Sequence, residues 1–183
     1  MSRIAIPSIE SAPAAAQPLL DAVKQQLGVV PNMFRLIANS PAGLEGYLSL
    51  SGALGKGALN AQTRERIALA VAQANGCDYC MSAHSYLAAN LAKLDDAEIA
   101  ANRRGGSNDA RAAAAVRFAV KIVEQRGHVA SADLEAVRAA GYADAEIVEI
   151  VLHVALNTLT NYINSVAKTD IDFTVIQTRS AAA

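Results

Sequence analysis

Tryptophan is absent from this 183-residue chain, and aromatic residues make up only 4% of it, yet 52% of its residues are hydrophobic. Alanine supplies much of that apolar count. Small side chains let helices pack closely but fill little volume each. A monomer would leave considerable apolar surface in water, so self-association is expected. Charge of either sign is also missing in excess: 16 Lys and Arg stand against 17 Asp and Glu, and the basic residues are scattered. That excludes the electrostatic footprint of a nucleic-acid or anionic-membrane binder. No apolar run approaches the ~20 residues that cross a bilayer. The opening MSRIAIPSIESAPAAAQ holds no apolar stretch long enough for a secretory signal. The expected compartment is therefore the cytoplasm, where a close pair of cysteines is more often catalytic than structural. No stretch reads as a linker. A single domain over 1–183 is expected, with 1–17 an extended lead-in and 170–183 a tail, and a chain of this size buries about 70% of its unfolded surface.

Strand-turn-strand signals and alternating β and α patterns are lacking too, and the chain reads as all-α, with roughly eight or nine helices. Pro7, Pro13 and Pro18 discourage early helix. A short amphipathic helix is expected over 18–27, ended by Gly28. Asn32 is expected to cap 33–38, and Ser40-Pro41 to open a helix running to about Leu54. In these segments Met33, Phe34, Leu36, Ile37, Leu44, Tyr47 and Leu48 read as core. Asn60 caps a helix that breaks at Asn75-Gly76, and a second helix continues to about Leu91. Asp95 caps a short helix ending at Arg103-Arg104, which reads as a solvated helix end. Longer helices are expected over 107–126, 131–140 and 143–168. The last carries a polar stripe, Glu146, Glu149, His153, Asn157, Thr160 or Asn161, and Asn164, on an otherwise apolar cylinder. An apolar face that wide suits burial both within a subunit and against neighbours. His128 and His153 read as structural, and the final Ser-Ala-Ala-Ala is expected to be disordered.

Only two cysteines are present, Cys77 and Cys80, and both fall in one turn at the start of the second helix of that broken pair. Helix N-termini carry unpaired N–H groups and partial positive charge, which favour a thiolate. Thiolate is the nucleophilic form, and an ordinary thiol of pKa ~8.5 is only a few per cent ionised at neutral pH. Cys77 and Cys80 are i,i+3 and share a face, so a disulfide closes with little backbone movement. His84 follows Cys80 by one turn and is placed to exchange a proton with it. Glu65 lies in line with Leu69 and Ala72, on the apolar side of the preceding helix. Folded against the next helix, it would orient His84 or take its proton. From the helix dipole alone, Cys77, nearer the terminus, should be the more acidic thiol.

The pattern Glu65-x11-Cys77-x2-Cys80-x3-His84 resembles the signature of the AhpD-like branch of the carboxymuconolactone decarboxylase superfamily. The likeness is tight from about Asn60 to Asn90, and Leu156–Tyr162 (LNTLTNY) also resembles peroxidase-related members. The resemblance implies an all-helical AhpD-like fold, a trimeric or hexameric homo-oligomer, and thiol-dependent reduction of hydroperoxides without a bound cofactor or metal. By it, Cys80 is the peroxide-attacking thiolate, Cys77 the resolving thiol, and His84 with Glu65 the proton relay. An external dithiol or disulfide reductase, such as a lipoyl-bearing protein, would reset the disulfide. Some members carry His between the cysteines, where this chain has Tyr79, which gates the pair or simply packs.

Other readings compete. Cys77 and Cys80 would be inert buried thiols in a structural role, or with His84 would supply three zinc ligands. A redox-sensing or structural oligomeric module would form the same disulfide without turnover. A lactone decarboxylase, as in the superfamily's name, would not need the cysteine pair.

Overall fold

In a computed structural model that describes residues 1–178, nine α-helices and one short 3-10 turn are found, with no strand among the described residues. The 3-10 turn spans Ala14–Ala16 and runs into α1 (Gln17–Leu27). Then follow α2 (Asn32–Ile37), α3 (Pro41–Leu54), α4 (Ala61–Asn75), α5 (Asp78–Asn90) and α6 (Asp96–Arg103). The chain ends in α7 (Ala110–Glu124), α8 (Ser131–Ala139) and α9 (Asp144–Ala167). No helix is long and apolar enough to cross a membrane among the described residues.

α4 is the centre of the arrangement and packs against α5, α6, α7 and α9. Residues 67–72 are all buried, so this helix has no solvent face in its middle. Its two sides serve two different cores. Leu69 and Ala72 join a core with Leu20, Met33, Leu44, Cys77, Cys80 and Met81. Ile67 and Val71 join another with Phe118, Ile122, Ile147 and Ile150 from α7 and α9. Glu65 is in register with Leu69 and Ala72 and therefore points along the side that carries the cysteines.

The caps follow the local chemistry. Asn60 Oδ1 accepts from the Thr63 amide at 2.8 Å, and Ser40 Oγ from the Gly43 amide at 3.1 Å. Gly76 ends α4 at φ 68°, the left-handed region that side chains with a Cβ rarely adopt. That single residue turns the chain so that α5 starts at once and lies back on α4. Gly57 is needed for a different reason: a Cβ there would sit 2.5 Å from the Glu149 carboxylate. Glu149, on α9, accepts from the amides of Ala58 and Leu59 at 2.8 and 2.9 Å and holds the loop ahead of α4.

Several boundaries differ from expectation. Asn32 is the first residue of α2, not its cap, and Pro31 precedes it. Its amide and side chain are taken by Asp172 and by the Asp170 carbonyl. α7 begins at Ala110, not Ser107, because Asp109 caps it and because the Ser107 hydroxyl and the Asn108 amide turn to Glu98. Arg103 is not a solvated helix end: it donates to Gln73 and to the Gln177 carbonyl, tying α6 to the tail. Tail residues 170–178 lie against α5, and the expected disorder of the final Ser-Ala-Ala-Ala falls outside the described residues.

Glu98 is the most heavily bonded carboxylate. Burial pushes its pKa up, but donors from Ser107, Asn102, the Asn108 amide and Arg66 outweigh this and hold it down at about 2. A carboxylate lowered on folding stabilises the protein fully above its unfolded value near 4.5, and that contribution is lost as pH falls toward about 2. Discounted for partial solvent screening, it is on the order of 2 kcal/mol. Glu98→Gln is therefore expected to lower stability at pH 7 and to flatten its fall between pH 4.5 and 2, as read by urea unfolding across that range. An unchanged pH slope in the variant would remove Glu98 as the source.

Candidate active site

Cys77 is the N-cap of α5, in extended backbone, and its Sγ accepts from the Cys80 amide at 3.2 Å. Cys80 sits in the first turn, and its Sγ accepts from Asn164 Nδ2 at 3.3 Å. Both are free thiols and both are buried, at 2% and 3% exposure. One turn further along α5, His84 Nδ1 lies 2.9 Å from Glu65 Oε2 of α4. A carboxylate can only accept, so Nδ1 carries the proton of this bond, and Nε2 remains for a second partner. Both side chains are 21% exposed, which leaves the pair in contact with solvent. All four residues singled out in the sequence thus meet at the junction of α4 and α5.

The electrostatics separate the two sulfurs. The Cys80 thiol is lowered to about 7. A hydrogen bond from Cys77 is the main cause; burial opposes it, and the Asn164 amide, the His84 charge and the Asn161 amide reinforce it. Cys77 moves the opposite way, raised by its bond to Cys80, by burial and by the neighbouring charge. The dipole argument for Cys77 is outweighed by local donors: as N-cap it receives one backbone N–H, whereas Cys80 collects side-chain donors from α9. Burial pulls His84 down, but the charge of Glu65, its hydrogen bond and the charge of Cys80 more than compensate, and the imidazole is raised above 6.5. Tyr47 of α3 is pushed up to about 12, first by burial, although a bond to Ser51 opposes this, and then by the charges of Cys80 and Glu65. Its hydroxyl therefore belongs to the surroundings of the site.

Residues 41–125 match the sequence profile of the carboxymuconolactone decarboxylase family. Over nearly the whole chain the fold is similar to an alkylhydroperoxidase AhpD core, a peroxidase-related protein from Ralstonia eutropha. The two are 27% identical with a TM-score of 0.83, covering 93% of this chain and 92% of that one. Profile and fold together make the chain similar to the AhpD-like branch of the carboxymuconolactone decarboxylase superfamily. A peroxidase-related protein from Silicibacter sp. is similar at 25% identity and TM-score 0.81, covering 92% and 91% of the two chains. The debrominase Bmp8 shares the fold at 20% identity and TM-score 0.73, covering 87% of each chain. No curated protein matches the sequence significantly.

The AhpD-like site has contributors that sequence reasoning left without a role. Asn164 and Asn161 were visible only as members of a polar stripe, yet they lie beneath the cysteines at 2% and 0% exposure. Asn161 Oδ1 accepts from Asn75 at 2.9 Å, which fixes its orientation at the end of α4. The available signal was the spacing Asn157, Asn161, Asn164 on an apolar helix, since buried amides need a reason. Tyr79 does not stand free between the cysteines. Its hydroxyl donates to Asp172 at 2.8 Å and accepts from the Met33 amide at 3.1 Å. It anchors the tail over α5, with its ring edge-on to Phe173. His153 is buried with Nε2 unpartnered, and burial together with Arg64 lowers it to about 4, although Glu149 and Glu65 pull the other way. Among the described residues no group of three His, Cys, Asp or Glu side chains is arranged to hold a metal ion.

Proposed function

We propose that this protein is a thiol-dependent peroxidase that reduces organic hydroperoxides through a Cys77–Cys80 thiol/disulfide cycle. The observation that carries the reading is the unequal pair: a Cys80 thiol lowered to about 7, with an imidazole-carboxylate pair one turn away. The Cys80 thiolate attacks the distal oxygen of ROOH, the O–O bond breaks, and Cys80 becomes a sulfenic acid. The leaving alkoxide takes a proton from the His84 imidazolium and departs as ROH. The Cys77 thiol then attacks the sulfenic sulfur, giving the Cys77–Cys80 disulfide and water. His84, with Glu65 behind it, takes the Cys77 proton as the S–S bond forms and hands it to the departing hydroxide, which leaves as that water. A dithiol returns two electrons and two protons and restores both thiols.

Homo-oligomerisation, as a trimer or hexamer, is part of this reading. Val148, Val151, Leu159, Tyr162 and Val166 are exposed along α9, an apolar stripe that a second copy would cover. The cycle also fits a reducing cytoplasm, where the dithiol is supplied.

The test is peroxide consumption with cumene hydroperoxide and excess dithiol. Many turnovers per subunit are expected. A sensor would oxidise once and change its size on a sizing column, whereas a lactone decarboxylase would leave the peroxide untouched. No consumption by the wild type, with thiols still titratable, would sink the peroxidase reading.

A further inference from the structure

A cavity of about 330 Å³ opens at the start of α5, bounded by Cys77, Tyr79, Asn164, Ser165, Lys168 and Thr169 among others. Cys80, His84 and Glu65 are not in its walls. The cavity therefore adjoins one cysteine of the pair, while the imidazole-carboxylate pair lies one turn beyond the other.

Two of its polar groups are buried with nothing to bond. Thr169 Oγ1 and Asn164 Oδ1 have no hydrogen-bond partner, and their residues are 6% and 2% exposed. Both atoms are closed off from solvent, so they shape the floor of the cavity and offer no bond to a molecule inside it. Lys168 ends α9 in the left-handed conformation at φ 48°. Such a conformation in a non-glycine residue is held by its surroundings. Here it turns Thr169 inward and sends the tail across α5. The Lys168 side chain is exposed at the cavity, with no ion pair or hydrogen bond among the described residues.

We propose that this cavity receives the dithiol that reduces the oxidised pair, with Lys168 binding an anionic portion of it while its sulfur reaches Cys77. The inference rests on the thiol-cycle reading above. A thiolate of the donor attacks Cys77 Sγ, its proton having gone to water. The Cys77–Cys80 bond breaks, a mixed disulfide forms at Cys77, and the electron pair leaves on Cys80 as thiolate. The donor's second thiol attacks its own sulfur in the mixed disulfide. The donor closes to a cyclic disulfide, and Cys77 leaves as a thiol carrying that proton. Attack at Cys77 rather than Cys80 follows from leaving-group chemistry, since the less basic thiol departs faster. Asn164 Nδ2 is already in place to receive the Cys80 thiolate.

The test measures the half-reactions separately on the full chain. The disulfide is made with diamide, so that its reduction is followed whether or not the protein reacts with peroxide. Reduction is timed with dihydrolipoate, which is anionic, and with dithiothreitol, which is neutral. Oxidation of the reduced protein by cumene hydroperoxide is timed as thiol loss. Lys168→Glu is expected to slow reduction by dihydrolipoate about tenfold while changing dithiothreitol less than about twofold. Ser165→Phe, which fills the mouth, is expected to slow both dithiols about tenfold or more. In Lys168→Glu peroxide oxidation should stay within about twofold of wild type, because Lys168 bonds neither the thiols nor the His84–Glu65 pair; in Ser165→Phe, which loses a hydroxyl bonded to Cys77, the loss in reduction should exceed any loss in oxidation. Reduction rates that match wild type in both variants, or equal slowing of both half-reactions, would overturn the proposal. Lys168→Gln, which keeps a long side chain, replaces Lys168→Glu if the latter melts well below wild type, with the same charge-selective loss expected. A wild type inert to peroxide would end the peroxidase reading alone, since the diamide-formed disulfide still tests the cavity.

Discussion

Serine at position 80 should abolish peroxide consumption completely, because a hydroxyl at this site stays protonated at neutral pH and cannot attack the O–O bond. Serine at position 77 should behave differently. Without added dithiol, Cys77→Ser should consume one equivalent of peroxide and stop, its intact mass raised by one oxygen atom as Cys80 remains a sulfenic acid. The contrast follows from the donor sets: Cys80 is bonded by Asn164, whereas the raised Cys77 is the thiol that waits. Retained reactivity in Cys80→Ser together with its loss in Cys77→Ser would exchange the two roles.

Removal of the imidazole is expected to have the next largest effect. In wild type the rate of peroxide oxidation should rise with pH and level off, with a midpoint at about 7, because thiolate forms as pH passes the lowered Cys80 value. His84→Ala removes both a positive charge beside the thiolate and the proton donor for the leaving alkoxide. The plateau should fall ~10²-fold and the midpoint should move up toward the ordinary ~8.5 of a thiol. Asn164→Val separates these two contributions. It loses the amide donor to Cys80 but keeps the relay, so its midpoint should rise with much less change in plateau. Stopped-flow thiol oxidation across pH 5–10 reads both quantities. A His84→Ala plateau equal to wild type would show that the alkoxide finds its proton elsewhere.

The parts of this molecule that announce themselves in sequence are those set by short-range rules. Asn60 and Asp95 cap through their own side chains three residues on, and Gly76 supplies a left-handed turn that only glycine adopts readily. The i,i+3 and i,i+4 spacings put Cys77, Cys80 and His84 on one face whatever the tertiary context. Glu65 was reachable because an acidic residue on the apolar side of a helix needs a partner, and His84 is that partner. What stayed hidden was long-range and aperiodic. Nothing local indicates that Asn164 meets a sulfur 84 positions away, or that Ser107 and Asn108 spend their donors on Glu98 rather than starting α7. The tail was illegible for the same reason. Its residues hold α5 through isolated bonds at Asp172, Ile176 and Thr178, a pattern without a period.

That tail has a consequence for how the site opens. Asp172 bonds Tyr79, the Ile176 amide bonds Ser82, and the Thr178 amide and hydroxyl bond Asp78. All three anchors belong to the first turns of α5, ahead of His84. Fraying of the tail releases the turn that carries Cys77 and Cys80 but leaves the His84–Glu65 bond, one turn further along, in place. The two halves of the site are therefore held by different parts of the molecule, the thiol turn by a strap from the tail and the relay by the packing of α4 on α5.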